Sequence, residues 1–127
     1  VRIRTGMMAF TIFPPALQPD PVEVDERERV FGIHANDWET SVMMALSPER
    51  VRVDRLDVAY PQFESETLRL EFSAANVAWT SRDLTATGTF GDARNASAER
   101  GRLRIEPMIA KLAAALTEIS TFEMPTP

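Results

Sequence analysis

The residues best suited to chemistry lie in the segment 34–41 (HANDWETS), which holds the only histidine of the 127-residue chain. Glu39 follows His34 by five residues, so the two side chains do not share one face of a continuous helix, where neighbours are three or four residues apart. If a loop ends at His34 and a helix begins before Glu39, both side chains reach one cleft. There they would suit proton transfer or the binding of a divalent metal ion. A lone histidine also serves as a hydrogen-bonded structural residue, and the segment by itself leaves both roles open.

A helix is predicted directly after this histidine, over residues 38–46 (WETSVMMAL). Asp37 is the predicted N-cap, because its carboxylate can accept hydrogen bonds from the free backbone N–H groups of the first turn. Val42, Met43 and Leu46 are predicted to face the interior. The positive end of the helix favours anions, so the segment gathers an imidazole and several carboxyl groups at a polarised position.

Two blocks of the sequence resemble the creatininase (creatinine amidohydrolase) family. The first block, His34-Ala35-x-x-x-Glu39-Thr40-Ser41, resembles the family's His-Ala-Gly-x-x-Glu-Thr-Ser segment. The second block, which resembles the family's C-terminal signature, consists of residues 78–84 (AWTSRDL), Gly88, residues 91–92 (GD) and residues 96–101 (ASAERG). The resemblance extends over most of residues 30–118 and corresponds to the second half of a family member.

The resemblance implies both a fold and an activity. The fold would be a layered α/β sandwich with a mostly parallel sheet, and residues 1–127 would form its C-terminal half. The activity would be that of a two-metal amidohydrolase, which hydrolyses a C–N bond in a small cyclic amide or formamide-type substrate. The cofactor would be a divalent metal ion: zinc, manganese or iron.

The resemblance also assigns roles to individual residues. His34 matches the family's active-site histidine and is the expected proton shuttle near the substrate, since histidine exchanges protons near neutral pH. Glu39 matches the motif acid and is expected to bind metal, to orient a metal ligand or to cap its own helix. The residues expected to line the substrate site are Ile33, Asn36, Asp37 and Trp38.

The chain departs from the family pattern in three respects. The family's metal ligands lie mainly in its first half, in a Glu-x-His…Asp segment and a later Gly-His segment, and neither segment occurs here. The metal would therefore be bound mostly outside this chain, by an N-terminal half or a companion chain. Asn36 replaces the usual glycine and is expected to keep a left-handed turn, which asparagine tolerates. Ile33 replaces an acid of the creatinine-hydrolysing enzyme, which argues against creatinine itself as substrate.

The alternative is a non-catalytic structural or interaction subunit, or a truncated relative that keeps the scaffold without the metal-binding half. The first residue is Val1 rather than a start methionine, so we expect a fragment or a split protein. Family resemblance implies a homo-oligomer, specifically a hexamer. The candidate contact is the loop of residues 14–29, which is rich in proline and acidic residues.

Composition bounds the remaining possibilities. The length fits a single domain, and an apolar content of 44% suffices for a core. A formal net charge of −5 argues against nucleic acid as a partner, because such proteins carry a basic face. The chain has no apolar run long enough for a membrane span. The absence of cysteine excludes disulfides and fits a cytoplasmic protein.

Other elements are predicted from periodicity and from turn residues. A buried strand is expected over residues 1–13, followed by the loop of residues 14–29. Residues 67–72 and 76–81 are expected to form strands, and residues 49–54 a short edge strand or a connector. A long amphipathic helix is expected over residues 96–119, capped by Asp92 or Ser97, kinked or restarted at Pro107 and packed on the sheet, with a frayed tail over residues 121–127. The helix residues predicted to face the sheet are Leu103, Met108, Ile109, Leu112, Ala113 and Leu116.

Overall fold

The structure is a computed structural model that describes residues 10–11, 20–71 and 73–124. Its helices are α1 (Glu26–Phe31), α2 (Asp37–Leu46), α3 (Ser81–Leu84) and α4 (Ala98–Thr121), and its strands are β1 (Val58–Ala59) and β2 (Gly91–Asp92). Single 3-10 turns lie at Pro48–Arg50, Val53–Arg55 and Ala93–Asn95. The strand predicted over residues 1–13 and the first part of the loop predicted over residues 14–29 fall outside the described residues, apart from residues 10–11. None of the described helices is both long enough and apolar enough to cross a membrane.

The two strands form a small antiparallel sheet in which Val58 pairs with Asp92 and Ala59 with Gly91. An isolated antiparallel bridge joins His34 to Phe90, immediately before β2. The strands predicted over residues 67–72 and 76–81 are reduced to one isolated parallel bridge between Arg69 and Asn76. The mixed α/β class is confirmed, although the paired strands in the described part of the chain are antiparallel.

Helix α2 packs closely against the first half of α4. Gly101 of α4 lies directly against the backbone of Ser41, and a methyl group at Gly101 would also stand 2.8 Å from the Cβ of Ala45. The inward stripe of α2 is therefore formed by Asp37, Ser41 and Ala45, which are spaced four residues apart. Small and hydrogen-bonded side chains fit an interface in which the backbones approach this closely.

The inward face predicted for α2 is wrong, because Met43 and Leu46 are exposed and Val42 is only half-buried. The face predicted for α4 is also wrong in part, since Leu103 and Ile109 are exposed. Leu116 is exposed as well. Among the described elements, helix α4 packs mainly on α2. Its 24 residues span about 36 Å, whereas the ten residues of α2 span about 15 Å, so α2 cannot cover the second half of α4.

Local capping explains where the helices begin. Ser97 is the N-cap of α4 and accepts a hydrogen bond from the backbone N–H of Arg100, which confirms one of the two predicted caps. The helix continues through Pro107 as one element. Helix α1, which was not predicted, begins inside the expected loop, because the Asp25 carboxylate accepts a hydrogen bond from the backbone N–H of Glu28 and acidic residues occupy the first turn. Residues 49–54 contribute to 3-10 turns rather than to an edge strand.

Candidate active site

His34 and Glu39 meet in the arrangement that the sequence predicts. His34 lies at the end of a loop, and Glu39 lies in the first turn of α2. The His34 Nδ1 atom is 3.2 Å from Glu39 Oε2, and the two side chains are 60% and 47% exposed. The same carboxylate oxygen accepts a hydrogen bond of 2.6 Å from the backbone N–H of Ala35. Glu39 is thus fixed by the backbone and faces the imidazole, while both side chains stay open to solvent.

The N-cap of α2 is Asn36, not Asp37 as predicted. The Asn36 side-chain oxygen accepts a hydrogen bond of 2.9 Å from the backbone N–H of Glu39. The Glu39 carboxylate in turn accepts a hydrogen bond from the backbone N–H of Ala35, the residue before the cap. Asn36 has an extended conformation with φ of −84°, so it does not supply the left-handed turn expected at this position. That conformation falls on Ala35, with φ of 50°. The asparagine that replaces the family's glycine is therefore used as a helix cap.

Asp37 is buried in a network of charges rather than exposed at the helix end. Its carboxylate, which is 1% exposed, receives two hydrogen bonds from Arg100, at 3.0 and 2.7 Å, and one of 2.7 Å from Arg104. Ser41 also donates to it, and Arg104 reaches on to Asp20. Burial alone would raise the pKa of Asp37, but the hydrogen bonds from the two arginines outweigh it and hold the pKa below the ordinary value. The network ties α2 to α4 directly beneath the candidate site.

Glu28 is a second buried carboxylate, and the sequence reasoning missed it. It accepts hydrogen bonds from the backbone N–H groups of Asp37 and Asp92, at 3.2 and 2.8 Å, and from the Tyr60 hydroxyl at 2.8 Å. Burial, together with the hydrogen bond and the negative charge of Glu28, raises the pKa of Tyr60 well above its usual range. One side chain of α1 thereby joins the start of α2, strand β2 and Tyr60. Glu28 stands in a charge-rich segment, so the sequence gives no sign that its side chain is buried.

An aromatic row supports His34 from below. The His34 ring lies 6.1 Å from the ring of Phe90, which is fully buried. Phe90 in turn packs edge-on against Trp79 at 5.6 Å, and the Trp79 indole N–H donates to the backbone carbonyl of Leu70. The backbones of His34 and Phe90 exchange hydrogen bonds of 3.4 and 2.8 Å. His34 is therefore held by its backbone hydrogen bonds and by the Phe90 ring. The edge of the imidazole ring stays available for chemistry.

The remaining predicted site residues differ in position. Ile33 and Trp38 are half-buried beside His34 and the start of α2, whereas Asn36 is buried by its capping role. Within the part of the chain that the structure describes, no group of three or more His, Cys, Asp or Glu side chains could hold a metal ion. The described residues thus supply an imidazole and a carboxylate at an open site, without a complete set of metal ligands.

Gly91 is required where β2 passes under the start of α2. Its φ is +136°, and an added methyl group would stand 2.6 Å from the Cβ of Asn36 and 2.8 Å from a Glu28 oxygen. We expect Gly91→Ala to lower the free energy of unfolding by more than about 2 kcal/mol, because backbone strain and steric overlap add. Urea unfolding followed by circular dichroism measures the change.

Gly88→Ala is the matched control for this substitution. Gly88 also has a positive φ, of +81°, but nothing lies within 4 Å of the added methyl group. The control isolates the backbone strain, which amounts to about 1–2 kcal/mol. Equal losses in the two variants would show that the close approach to Asn36 and Glu28 contributes nothing.

Comparison with known proteins identifies the family to which this chain belongs. The family model for creatininase, described as creatinine amidohydrolase, matches residues 2–116. The chain therefore belongs to the creatininase family, which confirms the resemblance found in the two sequence blocks. No curated protein matches the chain.

Several solved structures resemble the chain. A protein from Bacteroides fragilis named as a creatinine amidohydrolase is 26% identical with a TM-score of 0.65, over 76% of this chain and 38% of that one. A glutamate-to-glutamine variant of creatininase is 28% identical over 85% of this chain in two structures. Its complex with creatine has a TM-score of 0.54, and the match covers 38% of that chain. Its Zn–Zn form has a TM-score of 0.56, and the match covers 39% of that chain. A manganese creatininase, 23% identical with a TM-score of 0.63 over 95% of this chain and 48% of that one, shares the fold. The chain spans less than half the length of each of these structures.

Proposed function

We propose that this chain contributes the His34–Glu39 site to a metal-dependent amidohydrolase, which hydrolyses a C–N bond in a small cyclic amide or a formamide-type substrate. The observation that carries the proposal is the 3.2 Å approach of His34 Nδ1 to Glu39 Oε2 at the capped start of α2, in a chain of the creatininase family. The relatives in zinc, manganese and creatine-bound forms support a divalent metal and a small nitrogenous ligand.

His34 is proposed to move the proton that amide hydrolysis requires. Cleavage of a C–N bond needs a proton for the leaving nitrogen, and a solvent-accessible imidazole exchanges protons readily near neutral pH. Contact of Nδ1 with Glu39 orients the ring. The other ring nitrogen, Nε2, is then the atom that meets the substrate. Glu39 is itself positioned by the Ala35 N–H, so the pair is preorganised before any substrate binds.

The divalent metal is proposed to be bound mostly by residues outside this chain, with Glu39 as a direct ligand or as a carboxylate that orients one. When bound, such a metal would activate water and polarise the carbonyl. Ile33, Asn36 and Trp38 are proposed to flank the substrate. We assign Asp37 a different task from the substrate contact first predicted, because its carboxylate is buried and bonded to two arginines. It holds the floor of the site.

Intact mass combined with metal analysis separates this proposal from its alternative. Material in which this chain accompanies a second half or a companion chain, with about two divalent metals per unit, supports the amidohydrolase. A mass equal to the 127 residues and no metal would support the non-catalytic subunit instead. Assembly into a homo-oligomer and a cytoplasmic location remain predictions, which native mass measurement and cell fractionation test.

Replacement of Glu39 by glutamine tests the carboxylate. Glutamine keeps an oxygen that can accept from the Ala35 N–H, so the helix cap and the free energy of unfolding are expected to change by less than about 0.5 kcal/mol. The negative charge beside His34 is lost, and we expect turnover to fall by at least about tenfold. The measurements are steady-state rates, metal content and urea unfolding. Unchanged activity and metal content would reduce Glu39 to a helix cap.

A further inference from the structure

A cavity of about 370 Å³ opens beside the first half of α2. Glu39, Thr40 and Met43 form one wall, and the segment that contains the 3-10 turns at residues 48–50 and 53–55 forms the other. Its size falls within the range of small-molecule sites, which is about 300–1,000 Å³. The cavity is therefore large enough for a small metabolite.

Three arginines from one short segment line this cavity: Arg50, Arg52 and Arg55. Two carboxylates, Glu39 and Asp57, line it as well, so the formal balance is positive. Such a balance stands out in a chain whose net charge is −5. Guanidinium groups are suited to carboxylate and phosphate, because their planar N–H donors match two oxygens at once.

These arginines do not form strong ion pairs with the chain's own carboxylates. The Arg50 and Arg55 side chains approach Glu49 and Asp54 at only 3.8 and 3.9 Å, in pairs that are largely exposed. Exposed pairs of this kind contribute little energy. Arg52 has no ion pair among the described residues. All three groups are therefore available to an incoming anion.

The cavity is continuous with the proposed catalytic pair, because Glu39 belongs to both. Its Oε2 atom lies 3.2 Å from His34, and its side chain also lines the cavity wall. A small substrate whose amide lies at His34 would place the rest of its structure over the cavity. An anionic group on that substrate would then meet the arginines.

On this basis we infer that the cavity binds the oxyanion group, carboxylate or phosphate, of an anionic amide substrate. The inference rests on the proposed function and narrows its substrate class to acidic amides. Arg52 and Arg55 are the specificity-determining residues, and His34 and Glu39 carry out the proton transfer. A neutral cyclic amide such as creatinine would offer the three guanidinium groups no anionic group to bind.

Binding is tested first, without turnover, in the intact protein that contains this chain. Inorganic phosphate is titrated at low ionic strength by isothermal calorimetry. The Arg52→Gln/Arg55→Gln double variant is expected to weaken phosphate binding at least about tenfold. The matched control is the Arg82→Gln/Arg102→Gln double variant, which removes the same charge from exposed positions outside the cavity and is expected to bind as the unmodified protein does. Equal weakening in both variants, or no phosphate binding by the unmodified protein, overturns the inference.

Turnover of three matched formamides then identifies the anion: N-formylethanolamine, N-formylglycine and N-formyl-O-phosphoethanolamine. We expect one of the two anionic compounds to exceed the neutral one at least tenfold in kcat/KM, and the cavity variant to abolish that preference through KM. The preferred compound shows whether the group is a carboxylate or a phosphate. Equal kcat/KM for all three overturns the inference. Absence of any turnover would count against the proposed function, and the phosphate titration would still decide the anion site.

Discussion

Replacement of His34 by alanine in the intact enzyme is expected to lower turnover by about 10²–10⁴-fold, the usual contribution of a positioned acid–base group. The ring is the only imidazole in the chain, and it is the group that we propose to move the proton to the leaving nitrogen. The metal content is expected to stay nearly unchanged, because His34 contacts a carboxylate and belongs to no metal-binding cluster within the described residues. Steady-state kinetics and elemental analysis of the same preparation give both values.

The two measurements together separate three roles for this histidine. Loss of turnover with retained metal identifies the proton shuttle. Loss of metal would make His34 a ligand and overturn that assignment. Unchanged turnover would make it a structural residue, which is the plain interpretation of a lone histidine. Arg82→Ala provides the control, since Arg82 is exposed on α3 and contributes to neither the site nor the cavity.

Replacement of Asp37 by asparagine is expected to lower the free energy of unfolding by about 3–5 kcal/mol, because it removes the buried negative charge that Arg100 and Arg104 share. Arg104 is only 1% exposed, and Arg100 makes a two-pronged contact with the same carboxylate. Urea unfolding measures the loss. Asp54→Asn is the control: Asp54 pairs with Arg55 at 3.9 Å on the surface, and its loss should cost less than about 0.5 kcal/mol. Similar costs for both substitutions would show that the buried network does not stabilise the fold.

The same carboxylate predicts a pH dependence. The pKa of Asp37 in the folded chain lies below its ordinary value of 3.8, so the folded state binds a proton less readily than the unfolded state does. The resulting stabilisation is fully present above about pH 4 and is lost as the pH falls through the lowered pKa. We expect unfolding midpoints in urea to drop steeply below pH 4, and Asp37→Asn to flatten that drop. A slope unchanged by the substitution would assign the acid sensitivity to other carboxyl groups.

Local features of the site were predictable because they obey local rules. The C-terminal end of α2, the Ser97 cap and the approach of Glu39 to His34 follow from capping and from the spacing of a few residues. The family follows from two motif blocks that carry its signature residues. Each of these inferences needs only a short stretch of chain.

The buried network could not be predicted from the sequence, because its partner residues are far apart along the chain. Asp37 bonds to arginines 63 and 67 positions away, and Glu28 reaches Asp92 across 64. The inward face of α2 was predicted from apolar residues, yet the close approach of Gly101 selects small and polar side chains instead. Helix α1 was missed because a charge-rich composition outweighed the capping signal of Asp25. Hydrophobic periodicity does not predict the inward face of a helix when its contacts are formed by the backbone and by charged side chains.

The aromatic row beneath His34 places a natural fluorophore, Trp79, close to the proposed site. Trp79 lies against Phe90, and Phe90 lies against the His34 ring, so the indole is two contacts away from the proposed reacting group. The Trp79 indole N–H donates a hydrogen bond of 3.1 Å to the Leu70 carbonyl, which holds the ring in place. The chain has only one other tryptophan, Trp38, and the spectra of the two are separable with a single Trp38→Phe variant. Trp79 fluorescence is therefore expected to respond to a ligand that binds against the His34 ring.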